Sequence, residues 1–172
     1  INVHLSLFAL KRDMKVIGLT GSIAMGKSTA AAMLQHMKVP VHDSDAAVHA
    51  LYKNDWQFLR DLYKHFPEAH SGLTSKKIDR KKLAEIIYAD PSKKTLLESL
   101  LHPKVRQSQQ VFLKKCRALK QDIAVLDIPL LYETGADARC DYVMVVTAPY
   151  HVQRARVLAR PNMTEAKFHQ IL

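Results

Sequence analysis

The sequence predicts an α/β protein, a parallel sheet flanked by helices, and three observations carry that prediction. Short apolar runs occur at residues 15–20, 38–42, 123–127 and 141–147, the length and composition of buried strands. Stretches of helical periodicity lie between them, as parallel strands require for their crossovers. A glycine-bearing loop joins the first strand directly to the first helix.

That loop is Gly21, Ser22, Ile23, Ala24, Met25, Gly26, Lys27, Ser28 and Thr29, which fits the phosphate-binding pattern G-x-x-x-x-G-K-[ST]. The strand at 15–20 runs into it, and Ala30, Ala31, Ala32, Met33 and Leu34 follow with high helix propensity. Glycines let the backbone wrap closely around phosphate, and a helix start presents free N–H groups and a positive dipole end. Lys27 would neutralise the outer phosphate oxygens, and the Ser28 hydroxyl would take a place on Mg²⁺, so ATP and Mg²⁺ are the expected cofactors.

The second strand, with Pro40 near its start, delivers Asp43, Ser44 and Asp45 to the strand's C-terminal end. Ligands of open parallel sheets sit there, so Asp45 is a candidate general base or metal-shell ligand. A helix N-cap explains any of the three equally well. Residues 46–65 read as one helix, with Trp56 and Tyr63 read as core, and 67–72 as loop. Asp79 caps the next helix, and Asp90-Pro91 marks its exit. The helical stretch from Ser92 is expected to break at His102-Pro103, with Pro103 opening a new helix.

The run at 123–127 ends in Asp127, which either holds the metal or caps the turn. Pro149 opens the helix that carries Gln153, Arg154, Arg156 and Arg160. Arginines beyond the fourth strand suit a lid over a transferring phosphate. Thr164 is the expected N-cap of a final helix.

The chain has 172 residues and a formal net charge of +10, which suits anionic partners. The basic clusters Lys76-Lys77, Arg80-Lys81-Lys82, Lys93-Lys94 and Lys114-Lys115 lack the interleaved aromatics of a single-strand platform; no nucleic-acid partner is expected. No apolar run is long enough to span a membrane. Cys116 and Cys140 show no metal-ligand spacing and read as reduced thiols of a cytoplasmic protein. The expected organisation is a nucleotide-binding core at 14–45 and 121–150, a helical substrate subdomain at 46–120, a partial lid at 151–172, and an N-terminal extension at 1–13. Oligomeric state is left open.

Together these residues resemble the dephospho-CoA kinase family from about Lys15 to Leu172. The ordered motifs are the glycine loop, Asp43-Ser44-Asp45, Asp79-Arg80 with Leu83 and Asp90-Pro91, Leu101-His102-Pro103, Pro129-Leu130-Leu131 with Glu133, and Gln153 with Arg156 and Arg160. The resemblance implies a P-loop NTPase fold and ATP-dependent phosphorylation of the ribose 3′-hydroxyl of dephospho-CoA. It implies Asp45 as base, Lys27 and Ser28 on phosphate and Mg²⁺, and Arg156 and Arg160 in the lid. Ala24 departs from the family's frequent glycine and must avoid positive φ or bear strain. The chain also stops at Leu172, inside the helix that opens the family's final section, and so reads as truncated. The competing readings are another P-loop nucleoside or nucleotide kinase and an inactive nucleotide-binding fragment. The Leu-His-Pro and Pro-Leu-Leu-x-Glu motifs speak against the first.

Overall fold

The computed structural model describes residues 13–69 and 78–172. The extension at 1–13, save its last residue, and the Lys76-Lys77 cluster lie outside them. Four strands form one sheet: β1 (Lys15–Thr20), β2 (Val41–Asp43), β3 (Ile123–Asp127) and β4 (Tyr142–Val145). Their order is β2-β3-β1-β4, and every pair is parallel. The register sets Leu19 and Asp43 opposite Asp127, and Thr20 opposite Val145. All four strand ends therefore open on one edge. The two central strands are buried through Val16, Leu19, Ala124, Val125 and Leu126, which explains their near-continuous apolar runs. β2 is shorter than its predicted run. Pro40 has no N–H to give a ladder and enters only through its carbonyl, which accepts from the Val125 N–H at 2.9 Å.

Helix α1 (Lys27–His36) follows β1, and the next α-helices of the described residues lie between β2 and β3 in chain order. The single helix expected at 46–65 is two, α2 (Ser44–Asn54) and α3 (Trp56–His65). Asp55 divides them. Its backbone is extended, and its carboxylate accepts from the Phe58 N–H at 2.8 Å, so it caps α3 instead of continuing α2. Trp56, expected in the core, is 54% exposed because it opens the new helix. Asp79 caps α4 (Arg80–Ala89) through the Lys81 and Lys82 N–H groups, and Asp90 caps α5 (Pro91–Ala118) through Ser92.

The break expected at Pro103 is absent: α5 runs for 28 residues with Pro103 inside it. Pro103 sits on the exposed side, where the carbonyl that loses its helical donor can bond water. Packing at both ends holds the helix. Leu97 belongs to a core of Phe58, Leu62, Phe66, Ala69 and Leu83. Cys116 belongs to the sheet's core with Met14, Val16, Leu126 and Leu131. α5, about 42 Å long, thus joins a helical core to a sheet core. Beyond β4 come α6 (Tyr150–Leu158), which Pro149 precedes, and α7 (Glu165–Ile171), capped by Thr164 through the Lys167 N–H.

Candidate active site

The loop between β1 and α1 is held from below and left open above. Gly21 allows close approach: a Cβ there would come within 2.7 Å of the Val146 carbonyl oxygen. Gly26 has φ 101°, a conformation that L side chains rarely adopt. Ala24 takes φ 58°, so of the two options read from sequence it bears the strain. Three contacts from the segment beyond β4 hold that shape. The buried Gln153 donates to the Ile23 carbonyl at 3.0 Å, Arg156 donates to the Ala24 carbonyl at 3.3 Å, and the Ala148 N–H meets Met25 Sδ at 3.0 Å. Two residues expected in a lid, Gln153 and Arg156, thus also brace the loop. Above it, α1 begins with no side-chain cap and no acid in its first turn. Its first N–H groups are therefore available to an anion.

Lys27 reaches the end of β3, where its Nζ bonds Asp127 Oδ1 at 2.5 Å. Asp127 is buried, and burial pushes its carboxyl above the usual carboxylate range against the pull of Lys27. The charges of Asp43 and Asp45 push in the same direction as burial. The strand edge thus gathers one buried carboxylate, Asp127, and two exposed ones, Asp43 and Asp45, around a single ammonium. Among the described residues no group of three or more His, Cys, Asp or Glu could hold a metal ion by itself.

Asp43 and Asp45 take different places. Asp43 is the N-cap of α2, its Oδ1 accepting from the Ala46 N–H at 2.9 Å. Asp45, exposed in the first turn, lines a cleft of about 890 Å³ with residues 20–29, Glu133, Arg156 and Arg160. The cleft brings together Lys27, Ser28, Asp45, Arg156 and Arg160 from the predicted set, and Asp127 joins through Lys27. Asp45 also lines a second pocket of about 230 Å³ with Ser44, His102, Arg106, Gln109 and Arg139.

Gln109 and Arg139 carried no signal in the sequence: one is a glutamine within a long helix, the other follows a turn. Gln109 is 3% exposed. It donates to Ser44 Oγ at 3.1 Å and accepts from Arg139 Nη1 at 3.1 Å. Beside it on α5, Ser108 Oγ lies 3.0 Å from Nε2 of the buried His42. His42 Nδ1 has no hydrogen-bond partner among the described residues, and burial holds this imidazole below its usual range. Thr20 Oγ1 donates to the Pro129 carbonyl at 2.9 Å, fixing the loop that roofs both pockets. No helix among the described residues is long and apolar enough to cross a membrane.

A family model described as Dephospho-CoA kinase matches residues 15–172. The chain is 45% identical to a dephospho-CoA kinase of Paramagnetospirillum magneticum, over 92% of this chain and 74% of that one. It is 49% identical to one of Mesorhizobium japonicum, over 92% and 78%. A crystal structure from Thermus thermophilus superposes with TM-score 0.75 at 32% identity, covering 92% of this chain and 78% of that one. A dephospho-CoA kinase from Campylobacter jejuni shares the fold, with TM-score 0.57 at 22% identity over 82% of this chain and 92% of that one.

Proposed function

The chain belongs to the dephospho-CoA kinase family and uses ATP to phosphorylate the ribose 3′-hydroxyl of dephospho-CoA, the last step of CoA synthesis; on that premise we propose that Asp45 is the base between two substrate pockets. The observation that carries this reading is that Asp45 lines both the cleft of the glycine loop and the pocket beside it. ATP belongs in the first, its outer phosphates over the loop N–H groups and Lys27. Dephospho-CoA belongs in the second, its hydroxyl toward Asp45.

Asp43 is occupied in capping α2, which leaves Asp45 for the proton. The acceptor oxygen forms a bond to the γ-phosphorus as its proton passes to the Asp45 carboxylate. The bond from the γ-phosphorus to the bridging oxygen breaks, and ADP leaves with that electron pair. Lys27 moves from Asp127 toward the phosphate oxygens, and Arg156 and Arg160 add positive charge at the cleft's other wall. A bound Mg²⁺ would supply further charge neutralisation on the phosphates. The hydroxyl of Ser28 and the carboxylate of Asp127 are the hard oxygen donors that would hold it.

In this division, residues 14–45 and 121–150 form the nucleotide-binding core, 46–120 supply the acceptor side together with Ser44, Asp45, the Pro129 loop and Arg139, and 151–172 close over the transfer. The free thiols of Cys116 and Cys140 suit a reducing cytoplasmic setting. The test is ADP formation with ATP, Mg²⁺ and dephospho-CoA. ADP that depends on dephospho-CoA and vanishes in Lys27→Ala is the expected result. ADP formation indifferent to dephospho-CoA would overturn the reading.

A further inference from the structure

We propose that Gln109 is a positioning residue for the reaction: through Ser44 it fixes the first turn of α2, and with it Asp45, against the acceptor pocket. The inference rests on the reading of the second pocket as the acceptor site. One buried amide ties three elements that are distant in sequence. Its Nε2 holds Ser44 Oγ at the start of α2, and its Oε1 holds Arg139 in the turn before β4. Ser44 is itself buried and immediately precedes Asp45. The bonds also fix the orientation of the amide. Arg139 can only donate, so the amide oxygen faces it and the NH₂ faces Ser44.

The arrangement fits positioning better than plain packing. Asp43 caps α2 and, as the last residue of β2, ties its start to the sheet, but its capping carboxylate gives the first turn no hold on the helical layer. Gln109 supplies that hold from α5, a helix set in both cores. Ser44, Gln109 and Arg139 line the same pocket as Asp45. Among the described residues neither Arg139 nor Arg106 has a carboxylate ion-pair partner. An anionic acceptor that draws Arg139 therefore pulls on the amide that holds Ser44, and occupancy of the pocket is conveyed to the base. Methionine matches the length of glutamine but makes neither bond, so Gln109→Met isolates the amide from its volume.

The test compares wild type, Gln109→Met, Ser44→Ala, the double variant, and Gln110→Met as a control one residue away on the exposed face of α5. The expected result is a fall in kcat of about tenfold in each single variant, an effect within the range of misplaced catalytic groups. KM for ATP should stay unchanged, and the double variant should be no slower than the slower single. Wild-type kcat in Gln109→Met, losses that multiply in the double variant, or an equal loss in Gln110→Met would each overturn the proposal. A second arm needs no turnover. The Asp45 side-chain ¹³C resonance and the Ser44 and Asp45 amides are followed in labelled wild type, Gln109→Met and Gln110→Met. Resonances that move in Gln109→Met alone support the lock, and resonances that stay in place overturn it. A wild type inactive with dephospho-CoA would refute the acceptor reading, while this arm still decides whether Gln109 places Asp45.

Discussion

The glycine-loop cleft draws most of its lining from ten consecutive residues, 20–29, whereas the second pocket, proposed for the acceptor, takes Asp45 from α2, His102 and Gln109 from α5, Pro129 from the loop after β3 and Arg139 from the turn before β4. The first is a local structure braced from outside: Gln153 and Arg156 hold the carbonyls of Ile23 and Ala24. The second exists only as tertiary structure, and α5 is its spine. Ser108 and Gln109, neighbours on that helix, reach His42 at β2 and Ser44 at α2. The difference teaches where each half is vulnerable. The cleft depends on backbone conformation and one lysine, and the pocket depends on buried side-chain bonds between elements.

The two halves meet at Asp45, and the largest expected effect lies there. Asp45→Asn keeps the size of the side chain and removes the proposed proton acceptor. It should lower kcat by roughly 10²–10⁴ with little change in ATP affinity. Asp43→Asn, in which the amide oxygen still caps α2, should cost far less, since asparagine is as good an N-cap as aspartate. Single-turnover phosphoryl transfer measures both. A greater loss in Asp43→Asn would dissolve the division between cap and base.

The same contrast explains what could be read from the sequence. The glycine loop was legible because its geometry is local: spacing, strand before and helix after are all written in one stretch. Three consecutive residues able to cap, Asp43, Ser44 and Asp45, could not be ranked without the bond from Ala46 to Asp43. The division at Asp55 had a signal, an aspartate, but the apolar spacing across it imitates a single helix. Pro103 gave the opposite error, because its cost is local while the packing that outweighs it lies at both ends of α5. Gln109 and Arg139 were beyond reach: no spacing announces an amide that joins residues 65 and 30 positions away.

Acid should strain the acceptor side by a smaller amount. Burial lowers the His42 pKa below its ordinary value of 6.5. The folded state therefore resists a proton that the unfolded chain accepts. That contribution to stability is fully present above about pH 6.5 and is lost as pH falls from there through the lowered native pKa. Denaturant midpoints of wild type and His42→Gln, taken between pH 7.5 and 5.0, isolate it. Wild type should lose stability more steeply than the variant across that range. Parallel slopes would mean that His42 titrates alike in both states and that the β2–α5 contact does not depend on its neutrality.

The smallest effect belongs to the cleft and tests how its loop is held. Ala24 at φ 58° bears a Cβ contact worth about 1–2 kcal/mol in the left-handed region. Ala24→Gly relieves it, but glycine also gains freedom in the unfolded chain, which takes back about 0.4–1 kcal/mol. The net expectation is a stabilisation of roughly 0.5–1 kcal/mol, and for a chain of this size a rise in Tm of about 1–4 °C. ATP affinity should hardly move, because the carbonyl of residue 24 remains to accept from Arg156. Urea unfolding with and without ATP measures both. If Ala24→Gly instead weakens ATP binding at unchanged stability, the methyl group itself shapes the loop. If the strain is relieved and binding is kept, the conformation is imposed by Gln153 and Arg156, and the cleft too depends on tertiary bonds, all of them from one segment.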